Sequence, residues 1–420
     1  MSVDQGYEFS AVCSRGVEPL LADELREVLA TERVREDRGA VRFRGPLELG
    51  YRACMFSRLA GRVLMLIGRH EAVGERGLLE ASRSVRWSAQ FDPDQTFAVN
   101  FVGRDDDLRD TRHSARVVKD GIVDRMRRDH GRRPSVDVAA PDVRIHAHLR
   151  NREVAFSVDM AGALHRRTGG AGRAPGPAPL KETLAAALLR AAEWPTLARQ
   201  GVPLLDPMCG TGTLLIEAAE MALDRAPGLG RRDWDFESWS GHQVRVWRRV
   251  EREAEERAAL GAERTPAIFG ADDHPAALDA AHENARRAKV DLKLKEASIE
   301  GLEPPGGRED LPRGLIVTNP PYGVRLGEED EVRALYATLG DVLRRRFLGW
   351  TAWVLAGPGL VPALGLKPSR RIPLYNGPIE CRATRLDIST EPPRKPGPRR
   401  APISVDDPDV GEDTEPSGRR

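Results

Sequence analysis

The sequence predicts an α/β fold in which a doubly wound, mostly parallel sheet follows a smaller α+β region. Three observations predict it. From Leu180 onward, helical patterns alternate with short apolar runs: LKETLAAALLRAAE, VPLLDP, GTLLIEAAEMAL, AIFGAD, AALDAAHENARRA, LIVTNPP, VRALYATLGDVLRRRF and TAWVLAG. Strands spaced by helices in this way form a parallel sheet covered on both faces. Near the end, RRIPLY and IECRATRLDI flank Asn376-Gly377, a hairpin signal that closes the sheet with an antiparallel pair. Before Leu180, residues 169–179 read GGAGRAPGPAP, a composition that sustains neither helix nor strand and marks a boundary where few contacts cross.

Ahead of that boundary the chain mixes strand-like YEFSAVC, GAVRFRG, TFAVNFVG, DVRIHAHLR and EVAFSVDMAG with helical EPLLADELREVLA. Mostly antiparallel strands with helices on one side suggest two small α+β units. Residues 109–133 form a helix whose apolar positions Val117, Val118, Ile122, Val123 and Met126 recur at helical spacing. Its basic residues, including Arg112, Arg116, Lys119 and Arg127, then face water. They read equally well as a solvated face or as contacts for nucleic-acid phosphates. Residues beyond 391 are rich in proline and charge and are expected to form a disordered tail.

Bulk composition narrows the classes further. A length of 420 residues exceeds the usual size of one core. A net charge of +1 gives no global pull on nucleic acid, although a balanced total hides local patches. No apolar run approaches a membrane span, and MSVDQGYEFS lacks the start of a signal peptide, so a cytoplasmic location is expected. Cys13, Cys54, Cys209 and Cys381 are widely separated and read as free thiols. His113, His130, His146, His148 and His165 are scattered without a completing Cys or acid, so no metal site is expected.

The chemistry sits at strand ends. DPMCGTGTLLIEAA follows VPLLDP at the place where open α/β sheets bind ligands. The pair Gly210 and Gly212 lacks the third glycine of a dinucleotide fingerprint, and no lysine follows to make a P-loop. Asp206 would repel a pyrophosphate but suits a cationic ligand. Asp272 ends the next strand, where a carboxylate can accept both hydroxyls of a ribose; it or Asp273 could instead cap the helix before Pro275. A ligand with a carboxylate, a positive centre and a ribose fits these features, and S-adenosylmethionine is such a ligand.

The stretch GLIVTNPPYGVRLG, residues 314–327, ends a third strand. Asn319 can accept one N–H of a planar amine through its side chain, and Pro320 the other through its carbonyl. The prolines make this acceptor pair rigid, and Tyr322 supplies an aromatic face for a base. Arg325 lies just beyond and could meet a phosphate. Trp234, Trp239 and Trp247 in the segment between these motifs read as packing residues of an inserted helix in preference to an RNA platform.

These motifs resemble the class I amino-methyltransferases, and the THUMP-domain RNA methyltransferases of bacteria most closely. APLKETLAAA, LLDPMCGTGTLLIEAAEMALDRAPGL, TNPPYGVRLG and NGPIEC carry the resemblance, with CSRGVEPLLADEL, MFSRLAGRVLM, VKDGIVDR and PDVRIHAHL in the first region. The family implies a ferredoxin-like part at 1–55, a THUMP RNA-binding domain at 56–168, a linker at 169–179, a Rossmann-like methyltransferase domain at 180–390 and a tail at 391–420. It implies methyl transfer to guanine N2 in large-subunit ribosomal RNA. Asp206, Cys209, Gly210, Gly212 and Asn319 would contact the donor, Asp272 its ribose, and Asn319, Pro320 and Tyr322 the target base. Two departures stand out. Ser298 occupies the place where the family often has an acid near the donor adenine, and the second methyltransferase half of long members is not seen, so a second modification would need another protein. A transfer-RNA guanine, an adenine N6 or a glutamine N5 target, or a non-catalytic assembly factor, remain alternative readings.

Overall fold

A computed structural model describes residues 6–164, 180–306, 313–322, 329–377 and 379–389. The boundary segment 169–179, the tail 391–420, His165 and Arg325 lie outside the described residues.

The first region is one eight-stranded sheet. Its strands are β1 (Tyr7–Val12), β2 (Val34–Asp37), β3 (Ala40–Gly45), β4 (Arg62–Glu71), β5 (Thr96–Val102), β6 (Ser135–Val136), β7 (Val143–Arg150) and β8 (Glu153–Asp159), in the spatial order β2-β3-β1-β4-β8-β7-β5-β6. Only β5 pairs in parallel, with β6 and β7. The two units suggested by the sequence are therefore joined edge to edge. At ten residues β4 is long enough to pair with β1 at its start and with β8 along its length, over a bulge between Leu66 and Gly68.

Side-chain alternation decides which face is covered. Phe9 and Ala11 of β1, Ile145 and Ala147 of β7, and Val154, Phe156 and Val158 of β8 are buried. Helices α1 (Glu18–Leu29), α2 (Leu47–Phe56), α3 (Gly74–Ser84) and α4 (Thr111–His130) pack on this sheet. The basic segment is α4, with the five apolar positions named above inside. Asp110 caps it by accepting N–H bonds from Arg112 and His113, and Gly131 ends it at φ 70°.

The second region contains α5 (Glu182–Ala191), α6 (Trp194–Arg199), α7 (Thr213–Ala222), α8 (Val244–Gly261), α9 (Pro275–Ala288) and α10 (Glu329–Arg346). Its strands are β9 (Leu204–Asp206), β10 (Ile268–Asp272), β11 (Lys293–Glu296), β12 (Leu315–Thr318), β13 (Thr351–Ala356), β14 (Arg370–Asn376) and β15 (Ile379–Asp387), ordered β11-β10-β9-β12-β13-β15-β14. All neighbours are parallel until β15, which runs antiparallel to β13 and β14. The hairpin forms one residue later than its dipeptide suggests: Asn376 still pairs with Ile379, and Gly377 takes φ 63°. From β9 the chain steps outward to β10 and β11, then returns to β12 on the other side. The crevice at the carboxyl ends of β9 and β12 is thus the switch point of the sheet.

The residues before β10 bind the two regions together. Trp234, Phe236, Trp239 and Trp247 are all buried. Tyr51 of α2 packs among them, its ring centroid 4.8 Å from that of Phe236 and 5.6 Å from that of Trp247. Its hydroxyl accepts the Gln243 N–H at 2.9 Å and bonds His242 Nδ1 at 2.8 Å. Arg52 pairs with Glu253, and Arg249 with Glu48 at 3.1 Å. The tryptophans are packing residues, as the sequence favours. Their packing also corrects the expectation that few contacts cross the boundary, because a single hydrophobic cluster runs from Phe9 through Tyr51 and Trp247 to Trp353 and Leu374. No helix among the described residues is long and apolar enough to cross a membrane.

Candidate active site

At the end of β9 the chain must turn sharply into α7, and two glycines permit it. Gly210 takes φ 53° and Gly212 φ 81°, a region that favours glycine. A Cβ on Gly212 would also stand 3.2 Å from the Ala281 Cβ of α9. The turn is held by the Gly212 N–H donating to the Cys209 carbonyl at 2.9 Å, and by Asn284 of α9 donating to the Thr211 carbonyl at 3.0 Å. By contrast, a Cβ on Gly210 would meet no atom within 4 Å, so the backbone there is open to a ligand. That opening suits the donor expected from the sequence.

Two carboxylates face this loop. Asp272, at the end of β10, accepts the Gly210 N–H through Oδ2 at 2.8 Å and the His274 N–H through Oδ1 at 3.1 Å. It ties the glycine turn to the neighbouring strand and makes no side-chain cap on α9, and Asp273 instead bonds the His274 ring at 2.5 Å. A carboxylate has about four lone-pair sites, so two remain for the hydroxyls of a ribose. Asp206 is 1% exposed. Burial pushes its carboxyl up to about 7, and the Asp272 charge acts in the same direction, while the Thr318 hydroxyl and the Met208 N–H oppose it. A cationic ligand beside Asp206 would relieve that penalty.

Cys209 is buried, and desolvation together with Asp206 and Asp272 holds its thiol far above the ordinary range. It is a neutral packing group opposite Gly270, where a Cβ would approach its Sγ to 3.2 Å. Ser298 lies just past β11 and is exposed, its hydroxyl 3.4 Å from the Gly301 N–H.

Across the crevice, Leu315 and Ile316 of β12 pair with Leu204 and Leu205, which sets Asn319 beside the carboxyl end of β9. Asn319 is half-buried, Pro320 is buried and Pro321 is exposed. Tyr322, read from the sequence as an aromatic face for a base, is not freely open. It is half-buried against Gly357, where a Cβ would come within 3.0 Å of the Tyr322 Cβ. Its hydroxyl donates to Asn319 Oδ1 and lies against the Cys381 thiol and the Asn376 side chain. Burial, then Cys381, hold that hydroxyl well above the usual tyrosine range. The ring is anchored because the end of β13 and the β14–β15 hairpin close over it.

The structure therefore brings Asp206, Cys209, Gly210, Gly212, Asp272, Asn319, Pro320 and Tyr322 to adjacent strand ends. Thr318, Asn284, Gly357 and Cys381 were not read from sequence as part of this group. NGPIEC contained a signal for the last of them, but was read for its turn alone. On α4, Arg112, Arg116 and Arg127 are exposed and have no ion pair among the described residues, whereas Lys119 pairs with Asp120. Other cations of that helix are neutralised, Arg125 by Asp129 at 2.6 Å for example.

The pattern of the RMKL-like methyltransferase domain matches residues 171–385, that of the THUMP domain residues 75–159, and that of the RlmL ferredoxin-like domain residues 8–64. A ribosomal RNA large subunit methyltransferase K/L of Syntrophotalea carbinolica is 43% identical over 93% of this chain and 55% of its own length. The chain thus spans about half the length of the curated relatives it matches. Among solved structures, a possible methylase from Clostridium difficile 630 superposes with TM-score 0.81 at 28% identity, covering 93% of this chain and 100% of that one. A second, described as a methyltransferase and solved with SAH, gives 0.79 at 25% identity over 91% and 98%.

Proposed function

The chain belongs to the RMKL-like methyltransferase family, and from that premise we propose that it methylates the exocyclic N2 of a guanine in large-subunit ribosomal RNA. S-adenosylmethionine, when bound, supplies an electrophilic methyl group on a sulfonium. Asp206, Gly210 and Gly212 would hold it with the backbone of Cys209, and Asp272 would take its ribose hydroxyls. The observation that carries the reading is the meeting, at one switch point, of this acid–glycine turn with the acceptor pair of Asn319 and Pro320.

A guanine amine is a poor nucleophile because its lone pair is delocalised into the ring. Asn319 Oδ1 and the Pro320 carbonyl each accept one of its N–H bonds, which draws the nitrogen toward tetrahedral geometry. Orientation of this kind is worth about 7–11 kcal/mol where the reacting atoms are well aligned. The Tyr322 ring stacks on the base, a contact worth about 1–3 kcal/mol, which helps offset the few kcal/mol of extruding it. The first region supplies RNA contacts, with the unpaired arginines of α4 among them.

Incubation with labelled S-adenosylmethionine and protein-free 23S rRNA, transfer RNA and duplex DNA, followed by nucleoside mass spectrometry, tests the proposal. N2-methylguanosine in 23S rRNA is expected. Label only in adenosine, in DNA or in protein would overturn it.

A further inference from the structure

The loop after β1 crosses from the first sheet to the second at a point that the catalytic reading leaves unused. Gly16 takes φ 87°, and a Cβ there would stand 2.3 Å from the Pro373 carbonyl oxygen of β14. Only glycine permits this approach. Glu18 fixes the loop from below, accepting the Gly16 N–H at 2.6 Å and the Gly39 N–H at 2.9 Å. The adjacent Arg15 is exposed, with its guanidinium 5.7 Å from the centroid of the Tyr375 ring. It has no carboxylate partner among the described residues.

Tyr375 occupies the outward face of β14 together with Pro373 and Arg371, because alternate residues of a strand share a face. Arg371 is exposed and likewise has no ion pair among the described residues. Glu380, opposite Tyr375, is already engaged by Arg382 at 2.9 Å and does not neutralise Arg15. The shelf thus carries Arg15 beside the Tyr375 ring and, four residues back along the same face of β14, Arg371. It ends at Asn376, whose side chain lies against the Tyr322 hydroxyl, and Tyr322 in turn contacts Asn319. Cationic groups flanking an aromatic ring are the means by which proteins track a single-stranded polynucleotide, and guanidinium groups match phosphate geometry.

We propose that Arg15, Tyr375 and Arg371 form a shelf for the ribose-phosphate backbone beside the target nucleotide, with Arg15 a positioning residue that the first region lends to the active site of the second. The proposal rests on the reading of the site as an RNA methyltransferase. An extruded base reaches Asn319 only if the flanking backbone is held at a fixed place, and the Gly16 contact fixes that place relative to β14.

Equilibrium binding of protein-free 23S rRNA is measured against salt for the wild type and for Arg15→Ala, Arg15→Lys and Arg371→Ala, together with methyl transfer at saturating donor. Each alanine variant should make the dependence of log K on log salt shallower by about 1. The KM for RNA should rise about tenfold, with kcat changed by less than about threefold. Arg15→Lys should retain the salt slope and recover part of the KM. An Arg15→Ala protein that melts like the wild type and binds S-adenosylhomocysteine normally, yet shows an unchanged salt slope and KM, overturns the shelf. Should Arg15→Ala fail to fold, Arg371→Ala decides the matter alone by the same slope. A wild type that transfers no methyl to RNA refutes the enzymatic reading, while the binding slopes still judge the shelf. Slopes unaltered by either substitution, with transfer to a protein acceptor instead, count against both.

Discussion

The Tyr322 hydroxyl donates its hydrogen bond to Asn319 Oδ1, the atom assigned to receive the guanine amine. The aromatic residue that is to stack on the base therefore also covers the acceptor that is to hold it. A guanine N–H entering the site competes with that hydroxyl for the same oxygen.

Tyr322→Phe keeps the ring and removes the competing donor. A hydrogen bond contributes about 0.5–1.5 kcal/mol net, so the KM for RNA should fall about two- to tenfold. Tyr322→Ala should instead raise it, by the about 1–3 kcal/mol of lost stacking. Steady-state methylation at saturating donor distinguishes the two, and a higher KM for Tyr322→Phe would contradict the competition.

Burial pushes the Asp206 carboxyl up to about 7, so a cationic donor should bind best once the carboxyl has lost its proton. Below about pH 7 the Kd for S-adenosylmethionine should rise about tenfold per pH unit, and above it should level off. The folded-state value lies above the unfolded one, so this group's contribution to stability is present below the unfolded pKa and is lost as pH rises through about 7. Asp206→Asn should abolish the Asp206 step in Kd and make the empty protein more heat-resistant at pH 8. Calorimetric titration and thermal melts across pH 5.5–8.5 check both.

Arg58 of the first region is buried against Glu217 and Glu220 of α7, at 2.8 and 3.6 Å. Its guanidinium also donates to the Arg225 carbonyl. Removing one partner of a buried pair costs about 3–5 kcal/mol because the other charge is left behind. Arg58→Ala should lose about that much in urea denaturation, with Arg58→Lys intermediate.

Arg112, Arg116 and Arg127 project from α4 without carboxylate partners among the described residues. Replacing all three with alanine should make the salt dependence of RNA binding shallower by about 2–3 and leave S-adenosylhomocysteine affinity intact. Filter binding over a range of potassium chloride concentrations measures the first, and calorimetry the second.

Much of the fold is legible because the interior strands of the second sheet are almost wholly apolar. LLD, LIVT and TAWVLA could hardly be anything but buried parallel strands, and the glycine turn and TNPPY follow them directly. Besides β4, which follows α2 within one continuous apolar stretch, the strands that escape notice are β2, β6 and β11, whose sequences VRED, SV and KLKE carry too little apolar alternation to announce them. The last three lie at sheet edges, where charge is tolerated and discourages further pairing. The site residues in one segment could be read together, whereas the contacts of Tyr322 with Gly357 and Cys381 join positions that only the tertiary fold brings close. For the same reason a glycine- and proline-rich boundary looked loosely connected. Nothing local to Tyr51 says that its hydroxyl will bond residues 242 and 243.

Those tryptophans between α7 and β10 have an effect beyond cohesion. By seating Tyr51 among themselves they join the surface that would grip RNA to the crevice that would act on it through one packed core, so the span between the two would work as a caliper. On the proposed function the protein would pick its nucleotide by how far a base lies from a gripped fold of RNA, and lengthening that RNA arm by a base pair should silence a site whose own sequence is untouched.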